Sequence, residues 1–182
     1  MKTLKNNFLK LFVILSFILV LQTNASAQSV EKPQMNISAA IISGNLDVVK
    51  QHIAAGTDIN MKDQMSGSTP LITATTFGKT DIVKALIDAN ANLDLKNDEG
   101  STALHAAAFF GRVEIVQMLI DAGADKTIKN NHGGTPRESV TVAFDQMKPV
   151  YENIQQQLGP FGLKLDLEEI EKARPLIAML LK

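Results

Sequence analysis

A short motif recurs three times in this chain at a constant interval, beginning at Gly67, Gly100 and Gly133. The three copies read Gly-Ser-Thr-Pro-Leu, Gly-Ser-Thr-Ala-Leu and Gly-Gly-Thr-Pro-Arg in chain order. The first two copies are followed by Phe-Gly pairs, which begin at Phe77 and Phe110, and then by apolar residues at helical spacing. A fixed period of this length is typical of a stacked repeat architecture, in which each unit buries its apolar face against its neighbours.

Each regular copy predicts a pair of helices. In the second copy, Thr102 is expected to cap a short helix, because its hydroxyl can accept from an otherwise unpaired amide. Gly111 ends that helix, and the apolar stripe over residues 113–120 predicts a second, longer helix. Gly123 is expected to close the second helix in the left-handed conformation, and Asn90 takes the same place one copy earlier.

The unit before the first regular copy is degenerate. Residues 37–55 predict two further helices but lack the opening turn. The interval from Gly44 to Gly78 is one residue longer than the interval from Gly78 to Gly111, so one extra residue lies in the turn over residues 63–67. A first unit without an opening turn is typical of the terminal, capping repeat of a solenoid.

The last unit also departs from the pattern. Arg137 stands where the earlier copies have leucine, and an apolar stripe over residues 147–158 is shifted along the chain. Asp166 starts a final helical segment, which Pro175 is expected to bend or restart. Residues 141–182 are therefore predicted to be a degenerate last repeat and a helical cap, since an open solenoid end exposes apolar surface. The alternative is that this tail is a partner-binding helix.

These residues carry a family resemblance. Residues 100–108, followed by Gly111 and residues 115–125, closely resemble the ankyrin repeat, and the match extends over about residues 36–140. The resemblance implies an all-α solenoid of about four stacked helix-turn-helix units with hairpin loops, closed by a C-terminal helical cap. It also implies protein–protein recognition without catalysis, and it gives His105 the place of a structural histidine that braces a helix start against a hairpin loop.

Residues 1–27 predict a secretory signal peptide. Three lysines precede an apolar run over positions 11–21, and the small residues 25–27 follow. We expect cleavage after Ala27, a short linker over residues 28–35, and a periplasmic or secreted product. The alternative is an uncleaved anchor, for which the run is short, because a spanning helix needs about 20 apolar residues.

Charge and cysteine content limit the partners. Without the leader, 15 Lys and Arg face 19 Asp and Glu, and no basic run is present. Nucleic acids and anionic membranes require a clustered basic face, so neither is a predicted partner. The chain has no cysteine, which excludes a thiol nucleophile, a cysteine zinc site and disulfides, so packing must stabilise it. One domain is expected for this length, and the protein is expected to be a monomer.

No set of residues predicts catalysis. Residues 78–80 read Gly-Lys-Thr, like the end of a phosphate-binding loop, but Thr73 stands where that motif requires glycine. His52, His105 and His132 share no short metal-ligand spacing. We therefore predict no catalytic residue, no metal and no cofactor. An enzyme that uses the atypical C-terminal region is retained as an alternative.

The resemblance places a protein partner on a concave face formed by hairpin tips and inner helices. Phe109 is expected to be more exposed than Phe110, and Phe109→Ala to weaken binding without loss of stability, because rigid aromatic side chains are common binding anchors. Phe77 and Phe110 either join such a site or pack against the neighbouring repeat. The predicted tip residues are Gln64, Met65, Ser66, Ser68, Asp98, Glu99, Ser101, Asn131 and His132. The predicted helix-end residues are Thr76, Phe77, Phe109 and Phe110.

The predicted function is an exported, non-enzymatic module that binds a protein partner through this surface. An exported effector or stress-protection factor that docks a target protein is the alternative.

Overall fold

The computed structural model describes residues 32–182. The expected leader, its cleavage after Ala27 and the alternative of a membrane anchor all fall on residues outside that range. Among the described helices, none has the length and apolar character needed to cross a membrane. The α-helices of residues 32–182 are α1 (Ile37–Ser43), α2 (Leu46–Ala54), α3 (Pro70–Thr76), α4 (Thr80–Asp88), α5 (Ala103–Phe109), α6 (Val113–Asp121), α7 (Phe144–Leu158) and α8 (Leu167–Leu180), with 3-10 turns at Glu138–Val140 and Gly159–Phe161.

The helices form two stacked rows. The short helices α1, α3 and α5 pack side by side in the inner row, and α2, α4 and α6 pack in the outer row. Within each repeat the inner helix also packs on the outer helix that follows it. Hairpin loops connect α2 to α3 and α4 to α5. The predicted all-α repeat solenoid is therefore confirmed.

Local sequence signals begin and end these helices as expected. The Thr69 hydroxyl accepts from the Ile72 amide at 3.3 Å, and Pro70 occupies the first turn, where its missing amide costs nothing. Asn90 has a φ of 61° and is the one non-glycine residue with positive φ in the described chain. The expectation that Asn90 replaces Gly123 as a left-handed helix end is thus confirmed.

A continuous apolar core runs between the two rows. It is built from the inward-facing stripe of every helix pair, and it continues into the C-terminal region through Val140, Ile177 and Leu181. Since hydrophobic stabilisation grows with the apolar area removed from water, this shared core joins the repeats into one stack. Its large, fully buried members include Ile41, Val49, Leu71, Ile82, Leu86, Leu104, Ile115 and Leu119.

The fourth unit is split by an insertion. Where an inner helix would follow Pro136, the chain forms only the 3-10 turn at Glu138–Val140, which packs on α5. The outer position beside α6 is filled by α8, which also packs on that turn. Arg137, in the place of the usual leucine, is exposed, and its Nε donates to the Ala178 carbonyl of α8 at 3.2 Å. Helix α7 is inserted between the two halves of this last unit.

Of the two alternatives for Pro175, a bend or a restart of the final helix, the restart is wrong. Helix α8 runs without interruption from Leu167 to Leu180, and Pro175 lies inside it. Proline removes the amide that would pair with the carbonyl of Glu171. Both residues are exposed, so water can reach that carbonyl and the helix continues.

Candidate partner-binding surface

The hairpins lie side by side and are joined tip to tip. The Asp98 amide donates to the Ser66 carbonyl at 3.0 Å, and the Asn131 amide donates to the Glu99 carbonyl at 3.0 Å. The second bond occupies the same place as the first bond in the next copy of the repeat. Together the two bonds connect residues 63–68, 97–101 and 130–134, which we call the hairpin row. Because backbone bonds fix the spacing of the tips, their side chains form one continuous, ordered edge.

The first hairpin contains the extra residue that the spacing predicts. In the second hairpin the Asn97 amide donates to the Ser101 carbonyl, four residues on. In the first, the Asp63 amide donates to the Ser68 carbonyl, five residues on. The longer loop projects Met65, whose side chain is 93% exposed.

The Asp63 carboxylate holds this longer loop in place. It accepts from the amides of Met65 at 2.8 Å, Ser66 at 2.8 Å and Ser68 at 2.9 Å. Burial raises the pKa of Asp63, but the hydrogen bonds from Ser66, Met65 and Ser68 outweigh it and lower the pKa below its ordinary value. Asp63 is therefore a structural residue of the hairpin row.

The structure brings the nine predicted tip residues onto the hairpin row. Seven are exposed, whereas Ser68 and Ser101 are half-buried within their hairpins. The adjacent carboxylates of Asp98 and Glu99 lie at the middle of the row. His132 Nε2 lies 3.3 Å from the Glu99 carboxylate, but both side chains are largely exposed, so solvent screens this contact. The exposed tip residues are Gln64, Met65, Ser66, Asp98, Glu99, Asn131 and His132.

The four predicted helix-end residues lie apart from the hairpin row. They stand at the far ends of the inner helices, which at seven residues are about 10 Å long. Thr76 is half-buried there. Phe110 is only 7% exposed and packs with Ala106 and Leu163, and Phe77 packs half-buried against the same cluster. Of the two alternatives for Phe77 and Phe110, the structure shows the internal packing.

Phe109 is more exposed than Phe110, as expected, but helix α7 covers it. Its ring centroid lies 4.6 Å from that of Tyr151, and the Tyr151 hydroxyl donates to the Phe109 carbonyl at 2.7 Å. Phe109 is therefore half-buried rather than free to anchor a partner, and the expectation that Phe109→Ala leaves stability unchanged stays a prediction, one that this contact disfavours. Its ring is part of the contact that holds α7 on the inner row.

His105 holds the third hairpin against α5. Its Nδ1 accepts from the Thr102 amide at 3.2 Å, and its Nε2 lies 3.1 Å from the Gly134 carbonyl. Since Nδ1 accepts, the ring is the neutral tautomer whose Nε2–H donates to Gly134. Burial lowers the pKa of His105, which favours this neutral form. The brace expected from the family resemblance is present.

His52 makes a second brace that sequence reasoning did not assign. It is buried, with Nδ1 3.0 Å from the Thr57 hydroxyl and Nε2 2.8 Å from the Met35 carbonyl. It occupies the last turn of an outer helix, and the segment it binds precedes the first repeat. The sequence signal that could have identified this brace is a polar residue on an otherwise apolar helix stripe.

A second buried polar residue was also missed. Arg174 is 4% exposed and donates through Nη1 to the Tyr151 hydroxyl at 3.2 Å and through Nη2 to the Val142 carbonyl. It lies on the apolar stripe of α8 together with Ile170 and Ile177. A single cation on an apolar stripe signals an internal hydrogen-bonding role, because buried charge requires partners.

Within residues 32–182, no group of three or more His, Asp or Glu side chains is placed to hold a metal ion. An open cavity of about 360 Å³ lies between the end of α5 and the start of α8. Its wall carries two cations, Arg112 and Lys164, and two carboxylates, Asp166 and Glu169, so the charges balance.

Comparison with known proteins agrees with this architecture. A family model described as ankyrin repeats in three copies matches residues 37–130, just over half of the chain. The chain is similar to protein phosphatase 1 regulatory subunit 27 of Homo sapiens and of Mus musculus, in each case 43% identical over 60 residues, which cover 33% of this chain and 38% of the relative. It is also similar to the crystal structure of the ankyrin repeat domain of Bcl-3, described as a unique member of the IkappaB protein family. That match has a TM-score of 0.55 and 32% identity, and it covers 57% of this chain and 45% of that chain.

The chain belongs to the ankyrin-repeat family, whose repeats form protein–protein interaction modules. The match spans less than half the length of each of these similar proteins.

Proposed function

We propose that this chain is an exported, non-enzymatic module that binds a protein partner through its hairpin row. The observation that carries the proposal is the row itself, where backbone hydrogen bonds between tips order seven exposed side chains along one edge. A pre-ordered surface loses little conformational entropy on binding, which favours recognition. The similar proteins include a regulatory subunit by name, which supports a role in binding rather than catalysis.

The chemistry of the row supports a protein as the partner. Met65 offers a flexible apolar side chain that adapts to irregular surfaces. Asp98 and Glu99 beside it are acidic, which disfavours nucleic acid and anionic membrane and favours a partner that carries a complementary basic residue. The partner surface is therefore proposed to centre on the first and second hairpins.

Site-specific photocrosslinking in the native host tests this surface. A benzophenone amino acid placed at Met65 or Glu99 is expected to yield a crosslinked product of the same mass from both positions. The same probe at Lys84 and Glu114, exposed positions on the outer helices α4 and α6, serves as the matched control. Equal crosslinking from the outer helices, or none from the tips, would refute the hairpin row as the binding surface.

Export is the second part of the proposal and rests on the pattern of residues 1–27. Cleavage after Ala27 leaves a mature chain that begins at Gln28. The mass of the protein recovered from the periplasm or the medium is expected to equal that of residues 28–182. Full-length chain retained in the membrane would contradict cleavage and would leave the binding test at the tips unaffected.

A further inference from the structure

Helix α7 covers part of the inner row, and the main core does not hold it there. The main core contains residues of α8 and of the 3-10 turn Glu138–Val140, but no residue of α7. Of the 15 residues of α7, Tyr151 is the one that is buried. Ile154 and Leu158 pack, half-buried, on the separate cluster around Phe110. The contacts of α7 thus form a satellite of the repeat core.

The contact between α7 and the inner row has the form of a helix bound in a groove. Tyr151, Ile154 and Leu158 stand at positions i, i+3 and i+7, the spacing by which an amphipathic helix presents one face to a partner surface. The Tyr151 ring lies on Phe109, with centroids 4.6 Å apart, and its hydroxyl bonds to the Phe109 carbonyl. The opposite face of α7 is exposed and polar, with Glu152, Asn153, Gln156 and Gln157.

Besides Tyr151, two polar side chains connect this helix to the rest of the chain, Gln155 of α7 and Arg174 of α8. The Gln155 Nε2 donates to the Leu163 carbonyl at 2.9 Å, and its Oε1 accepts from the Leu165 amide at 2.8 Å. Arg174 of α8 reaches the Tyr151 hydroxyl and the Val142 carbonyl, and its guanidinium carbon lies 5.7 Å from the centroid of the Phe144 ring. On the C-terminal side, the turn Gly159–Phe161 ends at Gly162, which has a φ of 94° and open space where a Cβ would lie. Tyr151 is therefore the centre of the attachment.

We propose that the inner-row surface beneath α7 is a second binding site, which accepts an amphipathic helix of a partner protein. Helix α7 is its intramolecular occupant. The partner helix carries an aromatic residue in the place of Tyr151 and aliphatic residues three and seven positions later, and it binds when α7 detaches. The inference rests on the proposed function in assuming a protein partner, but it concerns a surface that the hairpin row does not include.

Hydrogen exchange of the full chain tests whether α7 detaches by itself. Amides of α7 are expected to exchange at least tenfold faster than those of α6 and α8, through local opening. Tyr151→Phe removes the hydroxyl that joins Phe109 and Arg174, and is expected to accelerate exchange in α7 by about tenfold while α6 is unchanged. Gln156→Ala, on the exposed face of the same helix, is the control and leaves α7 exchange unchanged. Equal protection of α7 and α6 would overturn the proposal.

A binding measurement tests the surface beneath. The probe is a fluorescent peptide of residues 141–162, added to the full chain. Tyr151→Ala in the full chain weakens its own α7, so this variant is expected to bind the wild-type peptide at least tenfold more tightly than the wild-type chain does. A peptide carrying Tyr151→Ala is expected not to bind. Equal affinity of both chains, or binding of both peptides alike, would refute the site. If Tyr151→Ala does not fold by circular dichroism, Tyr151→Phe replaces it. Crosslinking at Met65 is independent of either result.

Discussion

His105 is predicted to stabilise the third repeat through its side-chain hydrogen bonds. Its ring is 3% exposed and contacts the Thr102 amide, the Thr102 hydroxyl and the Gly134 carbonyl at 3.0 to 3.2 Å. Because Nδ1 has one lone pair, which the two Thr102 groups share, the ring makes about two full hydrogen bonds. At about 1 kcal/mol for each, His105→Ala is expected to lower the free energy of unfolding by about 2 kcal/mol. The loss arises because the Thr102 amide and the Gly134 carbonyl are left without their partner.

Urea unfolding followed by circular dichroism measures this effect. His132→Ala is the matched control, because the same substitution at an exposed hairpin tip is expected to change the free energy of unfolding by less than about 0.5 kcal/mol. A loss below about 1 kcal/mol for His105→Ala, or an equal loss for both variants, would refute the role of His105 as a brace.

The same residue makes a prediction about pH. Burial lowers the pKa of His105 in the folded chain, so the unfolded chain takes up a proton first as the pH falls below the ordinary value of about 6.5. The stabilising contribution is therefore complete above that pH and is lost as the pH falls from there towards the folded pKa. Between pH 7 and pH 5 the wild-type chain is expected to lose more stability than His105→Ala. Parallel losses would show that another group controls this range.

Two further predictions concern the hairpins. Gly100→Ala is expected to cost at least about 2 kcal/mol of unfolding free energy, because φ is 72° and a Cβ would lie 2.4 Å from the Asn131 side-chain oxygen. Gly133→Ala is the control, since φ is 79° but the space around the Cβ is open. It should cost only the backbone strain of about 1–2 kcal/mol. Equal losses in thermal or urea unfolding would contradict the close approach of the tips. Asp63→Ala is expected to speed amide exchange at Ser66, and in the first hairpin alone. In the wild-type chain, exchange at Ser66 should speed up in the same way as the pH falls through the lowered pKa of Asp63. Unchanged exchange in the variant would show that the carboxylate does not order the loop.

Much of the fold could be predicted because its signals are local. The Thr69 cap, the glycines after each inner helix and Asn90 act on residues within one turn of themselves, and the structure shows them in these roles. The extra residue in the first hairpin was also visible, because a fixed period makes an insertion countable. The tip residues followed from the family resemblance, which assigns them by their place in the repeat.

The helix-end residues were harder to predict because their environment depends on a distant segment. Phe109 is followed 42 residues later by Tyr151, whose ring and hydroxyl cover it. Nothing within one repeat records that contact, so the local pattern predicted only that Phe109 is more exposed than Phe110 and gave no sign of the helix that packs on it. Arg174 shows the same limit, since its partners on Tyr151 and Val142 lie 23 and 32 residues away.

The sequence by itself determined the repeat, the helix pairs and the row of hairpins, because each depends on contacts between neighbours along the chain or between adjacent copies. Only the tertiary structure decided how the irregular C-terminal region closes the stack. There α8 continues the outer row after an insertion of residues 141–166, and α7, which belongs to that insertion, lies over the inner row. The physical reason is that apolar faces separated by a long insertion can pair in several ways, and the choice is made by which surfaces fit together rather than by any periodic signal.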